Sequence, residues 1–291
     1  MATEASKPDF RSWEDAVRWL LQQQEFAGLV SDCYYDQPAA AAARRYHGSA
    51  EWQAVSTWLP ARAGRALDVG AGHGITSFAL ASNGWRVTAL EPDPSELVGC
   101  GAIRRLAAET GVQVDVQPSF GESLPFEAGA FDLVFARQVL HHARDLGKFC
   151  QEMARVLRAG GTLVAIRDHV ISRPADLEAF RAAHPLHRLY GGENAFTLEQ
   201  YRSALQGAGF TIERQFGSFD SPVNYAPRDA ASIARELAAR LAFLPGAGAL
   251  LRALFTSAAS GPMALRALSS IDRRPGRLVS FVCRKSPGRA S

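Results

Sequence analysis

At 291 residues, with 47% apolar residues and a net charge of +3, the chain is long enough to bury the core of one large domain. Arg outnumbers Lys 29 to 3, but the basic residues are scattered, with no basic run or basic-aromatic stripe, so nucleic acid is excluded as an expected partner. No run of about 18 apolar residues is present to span a membrane, and the polar start at Met1–Phe10 lacks an apolar leader segment; a cytoplasmic location is expected.

Residues 12–30 read as an amphipathic helix. Ser12 and Asp15 have capping-box spacing, and Trp13, Val17, Leu20 and Leu21 share a face. A polar turn carries Tyr34-Tyr35-Asp36, and a second helix is expected over 49–59. Strand and helix signals then alternate: strand 65–69, helix 74–82, strand 86–91, helix 94–109, strands 112–117 and 131–136, helix 145–157 and strand 162–168. Gly160-Gly161 is read as the stop of the helix at 145–157. Residues 170–196 read as an irregular polar excursion. Thr197 and Gln200 form a capping box opening a helix to about Gly207, and strand 210–216 follows. Residues 228–270 are Ala/Leu-rich and helical, broken at Pro245-Gly246 and Gly261-Pro262, before a final strand at 277–284.

This alternation predicts an α/β fold, with a parallel sheet covered by helices on both faces. Between the last two strands there is no standard right-handed crossover, so they are expected to pair antiparallel. The predicted organisation is an N-terminal helical cap segment (1–60), a core (61–216) containing the excursion 170–196, a helical insertion (217–276), and a final strand with its tail (277–291). Four Cys, at 33, 100, 150 and 283, lie far apart without C-x-x-C, which disfavours zinc and redox motifs and fits a reducing compartment.

The chemistry concentrates at Asp68-Val69-Gly70-Ala71-Gly72-His73-Gly74. An acidic residue ends a strand, and glycines at alternate positions open a helix. Glycine tolerates positive φ and close approach of a ligand to the backbone. A dinucleotide site would want G-x-G-x-x-G; here the third glycine arrives one residue early, at Gly74, with Ile75 in its place. Glu91 ends the next strand, 23 residues after Asp68, where a carboxylate can accept both ribose hydroxyls. Glu122-Ser123-Leu124-Pro125-Phe126, Phe131-Asp132-Leu133-Val134, Val139-Leu140-His141-His142 and Leu157-Arg158-Ala159-Gly160-Gly161 follow in order.

Taken together these blocks resemble the class I S-adenosylmethionine (SAM)-dependent methyltransferases, over about 65–168 by motif and over 197–216 and 277–284 by pattern. The resemblance implies a Rossmann-like, mostly parallel seven-stranded sheet with an antiparallel last strand and a helical cap. It implies SAM as cofactor, with S-adenosylhomocysteine as product. Asp68, Gly70, Ala71 and Gly72 would border the methionine part, Glu91 the ribose and Pro92 the adenine. Ser119-Phe120-Gly121 departs from the family's Gly-Asp-Ala, so Phe120 and Gly121 are expected at the adenine instead, and Arg137 is counted with the cofactor residues.

His169 is the first candidate for a catalytic base, oriented by Asp168 at the carboxyl end of its strand, with His142 as another candidate. His141 and His142 also read as a structural turn, and Asp132 as an ordering residue. Tyr34, Tyr35, His184, His187, Arg188, Tyr190 and Asn194 are the candidate acceptor residues. His184 and His187, together with Asp168, have spacing that could help bind a divalent metal, but no helix is read there to put the two His on one face, and no metal is expected. The acceptor is expected to be a small polar molecule, methylated on a hydroxyl of a sugar, glycan or secondary metabolite. N- or C-methylation of a metabolite, a SAM-binding scaffold or cyclase without transfer, and a nicotinamide oxidoreductase are the alternatives. Gly74 argues against the last.

Overall fold

The computed structural model describes residues 10–243 and 246–286, so the extreme N-terminus, Pro245 and the last residues of the tail lie outside the described residues. Its strands are β1 (Arg65–Val69), β2 (Arg86–Leu90), β3 (Val114–Gln117), β4 (Phe131–Arg137), β5 (Leu157–Ile171), β6 (Phe196–Thr197), β7 (Phe210–Phe216) and β8 (Arg277–Lys285). They form one sheet in the order β3-β2-β1-β4-β5-β8-β7, with β6 beside β5 off this path. β1 to β6 pair in parallel, whereas β8 runs antiparallel to both β5 and β7. The antiparallel end follows from the connection: residues 217–276 leave β7 and return β8 between it and β5. The sheet has eight strands rather than seven, the additional one being the two-residue β6.

Alternation along the central strands feeds two cores. In β1, Ala66 joins the cluster with Trp52, Phe78 and Phe135, while Leu67 joins the one with Phe149, Met153 and Phe281. In β4, Leu133 and Phe135 face the first cluster, and Val134 and Ala136 the second. Both faces are covered, which is why these strands read as nearly unbroken apolar runs. A third small core, built on Phe219, Ile233, Phe255 and Leu265, ties the helices Ala230–Arg240, Ala247–Thr256 and Gly261–Ile271 together.

Several sequence expectations need correction. The helix predicted over 12–30 breaks after Leu20 and resumes as a 3-10 turn, Gln24–Phe26, and a short helix, Ala27–Asp32. The break lets Phe26 fold back on Trp19, with ring centroids 5.6 Å apart. Ser12 does cap Asp15 N–H at 3.1 Å, although the reciprocal bond is absent. The helix Ala39–His47 has no counterpart in the sequence reading, because its first five residues are all alanines and offer no periodic apolar face. Gly160-Gly161 does not end the preceding helix: that helix stops at Val156, and β5 begins immediately at Leu157. The excursion 170–196 is not irregular throughout; it holds the helices Leu177–Ala183 and Pro185–Leu189. The capping box of Thr197 and Gln200 forms as predicted.

The N-terminal segment and the excursion pack on one another over the carboxyl ends of the central strands. Ala16, Leu20 and Val30 share a cluster with Leu189, Trp13 packs on Tyr190, and Tyr35 lies 4.9 Å from the His73 ring in the glycine turn.

Candidate active site

β1 and β4 are neighbours whose connections leave in opposite directions, and the crevice beyond the carboxyl ends of such strands is where open α/β sheets bind ligands. The glycine turn sits there. Gly70, Gly72 and Gly74 have φ of +64°, +55° and +89°, so each needs the conformation glycine reaches without steric cost. A Cβ on Gly70 would lie 2.3 Å from Val139 Cγ2, so this turn is wedged against the segment following β4. Above Gly72 a Cβ would meet nothing within 4 Å, which leaves open space at the turn.

Two carboxylates frame the turn. Asp68 is buried and accepts a hydrogen bond from Ser77 Oγ at 2.6 Å. Burial pushes its pKa up to about 7, against the Ser77 bond and with Glu91 nearby adding to the rise. Glu91 accepts from Gly72 N–H at 2.7 Å and from Asp93 N–H at 3.0 Å. Burial raises its pKa, and those two backbone donors moderate the shift. Pro92 is exposed beside it, and Phe120, after β3, is 63% exposed. Ala71 is buried against Ala89 and Ile103. Gly121 has a packing reason of its own, since a Cβ there would overlap Phe149.

Arg137 is committed elsewhere. Its guanidinium donates to both oxygens of Glu51, at 2.7 and 3.3 Å, and to Gln138 Oε1 at 2.8 Å. Glu51 is 1% exposed and also faces Arg167 Nη1 at 3.3 Å. Burial alone would lift the Glu51 pKa, but the charges of Arg137 and Arg167 outweigh it and hold the group ionised. Sequence reasoning missed Glu51, which carries no local motif.

The expected pairing of His169 with Asp168 is corrected. Asp168 accepts from His141 Nδ1 at 2.9 Å and from His141 backbone N–H at 3.2 Å, and His141 Nε2 faces Glu193 at 3.4 Å. Burial works against the charged imidazole, yet the two carboxylates lift the His141 pKa to about 9. Glu193 is held down at about 2, where burial is overcome by the His141 hydrogen bond and charge. Nor are Asp168 and His169 at the end of their strand. β5 runs on to Ile171 past a register shift between Ala165 and Asp168, and Arg167 adopts φ +62° there. His169 Nδ1 donates to Gly276 O at 2.9 Å, which leaves Nε2 as its basic nitrogen. Burial, and then the His141 charge, push its pKa down to about 3.

His141, His169 and Glu193 each offer a ligand atom within 4.8 Å of the others and form a group able to hold a cation. It differs from the set His184, His187 and Asp168 that the sequence suggests. Glu193, the carboxylate of that group, already faces His141 Nε2 at 3.4 Å.

His142 is exposed, packs at a tilt against His141 with ring centroids 4.1 Å apart, and bonds Gly192 O at 3.3 Å. Tyr34 is buried at φ +60°, edge-on to Tyr46. His184 caps the helix Pro185–Leu189 and packs 4.9 Å from His169, with His187 one turn further on. Arg188 and Tyr190 are exposed, and Asn194 is half-buried in the same segment. Asp132 orders β1, accepting from Arg65 N–H at 2.8 Å and from Arg158 at 2.5 Å.

Beside His169 lies a cavity of about 340 Å³ whose walls include Gln138, Arg167, Asn224, Arg274 and Arg277. Gln138 and Arg167 are two of the three non-glycine residues with positive φ among those described, and such strain concentrates at functional sites. The run Arg273-Arg274-Pro275-Gly276-Arg277 was legible in the sequence only as the turn into β8.

Comparison with known proteins agrees with this geometry. A family described as "Methyltransferase domain" matches residues 67–165. A ubiquinone biosynthesis O-methyltransferase of Methylobacterium sp. (strain 4-46) is 31% identical over 162 residues, covering 54% of this chain and just under two thirds (64%) of that protein. One from Methylobacterium nodulans is 30% identical, covering 57% of this chain and 67% of that protein. Among solved structures, the geranyl diphosphate C-methyltransferase of Streptomyces coelicolor A3(2), in complex with Mg2+, geranyl diphosphate and S-adenosylhomocysteine, superposes with a TM-score of 0.57 at 15% identity, over 92% of this chain and 87% of that one. The cyclase SpnF gives 0.55 at 22%, over 85% and 82%; at these identities the likeness concerns the fold. With its glycine turn, its two strand-end carboxylates and its sheet order, the chain belongs to the class I SAM-dependent methyltransferases.

Proposed function

We propose that this protein transfers the methyl group of SAM to a hydroxyl of a small acceptor seated in the cavity beside His169. The carrying observation is that the glycine turn, framed by Asp68 and Glu91, abuts Val139, whose chain neighbour Gln138 lines that cavity. The residues suit the cofactor. A carboxylate has about four acceptor positions, and backbone N–H groups occupy two on Glu91, leaving room for a vicinal diol. Asp68, buried with its pKa raised, has no ion-pair partner among the described residues, and an ammonium group would supply one. Phe120 presents an exposed ring for a base to stack on. Bound SAM would supply an activated, electrophilic methyl group.

The rest falls to the chain. The 170–196 segment and the N-terminal helices form a cap that excludes water from the crevice. Alignment of nucleophile and methyl group contributes up to roughly 7–11 kcal/mol in favourable cases. His169 Nε2 receives the hydroxyl proton. Burial makes His169 a weak base, so the proton passes to Nε2 as the O–methyl bond forms and the oxygen turns acidic. The relatives named as O-methyltransferases support oxygen as the accepting atom.

The test is calorimetric titration with SAM and S-adenosylhomocysteine, followed by S-adenosylhomocysteine release over a panel of hydroxylated acceptors. Both ligands should bind, and Glu91→Ala should weaken both. His169→Ala should lower turnover by about 10²–10⁴-fold. Binding without turnover on any hydroxyl would refute transfer to oxygen, and His169→Ala turnover unchanged across pH would refute the base.

A further inference from the structure

We infer that the acceptor carries an oxyanion group, a phosphate or a carboxylate, which the arginine wall of the cavity beside His169 recognises. This rests on the reading that the cavity receives the acceptor. Four arginines line it: Arg167, Arg228, Arg274 and Arg277. Their partners among the described residues leave charge over. Arg274 is paired bidentately with Asp272, at 2.8 and 2.9 Å, and Arg228 reaches Glu236 at 3.4 Å. Arg277 bonds Ser172 Oγ and Arg274 O, and has no carboxylate partner. Arg167 shares Glu51 with Arg137, and Arg137 takes the shorter, two-pronged contact. The consequence shows in opposite directions: Arg137 is made a stronger base, whereas burial pushes the Arg167 pKa down. Five arginines thus face three carboxylates, an excess of two positive charges.

Arg167 adds an independent sign. Its side chain is 12% exposed, and its Nε is fully buried without a hydrogen-bond partner. Nη1 meanwhile is spent on Val223 O and Ala226 O, at 2.8 and 3.1 Å. The buried Nε is closed to a cavity ligand, but the guanidinium as a whole stays cationic at the cavity wall, and an oxyanion in the cavity is a partner of matching charge. The carboxylates of Asp168 and Glu193 do not fill this need, because both engage His141. A neutral acceptor would leave the wall uncompensated. Placing the anion against Arg277 and Arg167 also puts the remainder of the acceptor beside His169.

The experiment titrates protein saturated with S-adenosylhomocysteine with inorganic phosphate, pyrophosphate and benzoate, in wild type and Arg277→Gln. Cofactor affinity and melting temperature are measured on the same samples. At least one oxyanion should bind, roughly tenfold more weakly in Arg277→Gln, as expected for one lost charge-assisted hydrogen bond. S-adenosylhomocysteine affinity should be unchanged. Preference for pyrophosphate over benzoate would identify a phosphorylated acceptor, and the reverse a carboxylated one. Cofactor binding with no oxyanion binding, or with binding that Arg277→Gln leaves untouched, would overturn the inference while leaving methyl transfer standing. Absence of cofactor binding would instead overturn the reading on which it rests.

Discussion

Glu51→Gln is the most demanding test of how this site is held together. The side chain is almost fully buried and sits between Arg137, at 2.7 Å, and Arg167, at 3.3 Å. The substitution keeps the shape, removes the negative charge and leaves two guanidiniums facing each other with little water. Breaking a buried ion pair by deleting one partner costs about 3–5 kcal/mol. Glutamine can still accept one hydrogen bond, so the lower end, about 3 kcal/mol, is expected. That is a large share of the roughly 5–15 kcal/mol that stabilises a typical protein. At this chain length it corresponds to a fall of about 6 °C in melting temperature, taking about 2 °C per kcal/mol. Urea denaturation monitored by tryptophan fluorescence would measure it, with an unchanged slope showing that the unfolding reaction is the same. Glu14→Gln is the control: its partner Arg18 is 62% exposed, and less than about 0.5 kcal/mol should be lost. Combining Glu51→Gln with Arg137→Met should recover part of the loss. A loss below about 1 kcal/mol for Glu51→Gln would show that water, not this carboxylate, balances the two arginines.

Asp68 titrates near 7 in the folded protein against an ordinary 3.8, so its ionised form is disfavoured, and its contribution to stability is lost as pH rises towards 7. A cationic cofactor needs the ionised form, so SAM affinity should climb as pH rises to about 7 and then level off, with proton release below that point; a flat profile would contradict this. The folded His141 pKa of about 9, above its ordinary 6.5, gives stability that is fully present below about 6.5 and is lost as pH rises through about 9. Asp168→Asn should flatten that slope in thermal melts, and an unchanged slope would mean that another group carries it. Gly70→Ala should cost about 1–3 kcal/mol, because it combines φ +64° with a contact at 2.3 Å to Val139. Val139→Ala in the same chain should relieve the contact and leave the dihedral penalty; complete rescue would show that φ is unimportant.

Much of the fold was legible in the sequence because it is written in local chemistry. β1 and β7 have the limits that their apolar runs predict, and Thr197 caps its helix through Gln200, three residues away. The glycine turn and Glu91 could be read from spacing, since positive φ and a strand-end carboxylate are requirements of neighbouring residues. The partners of the polar groups could not be read in this way. Asp168 lies beside His169 in the chain, yet its hydrogen bonds go to His141, 27 positions away, because β4 and β5 are neighbours in the sheet. Glu51 meets Arg137 across 86 positions, and the arginines of the cavity come together only because β8 inserts between β5 and β7. A buried charge takes whatever partner the sheet order brings within reach. Strand propensity, glycine dihedrals and caps were thus determined by the sequence alone, whereas the pairing of charges, and with it the character of the acceptor site, was decided by the tertiary structure.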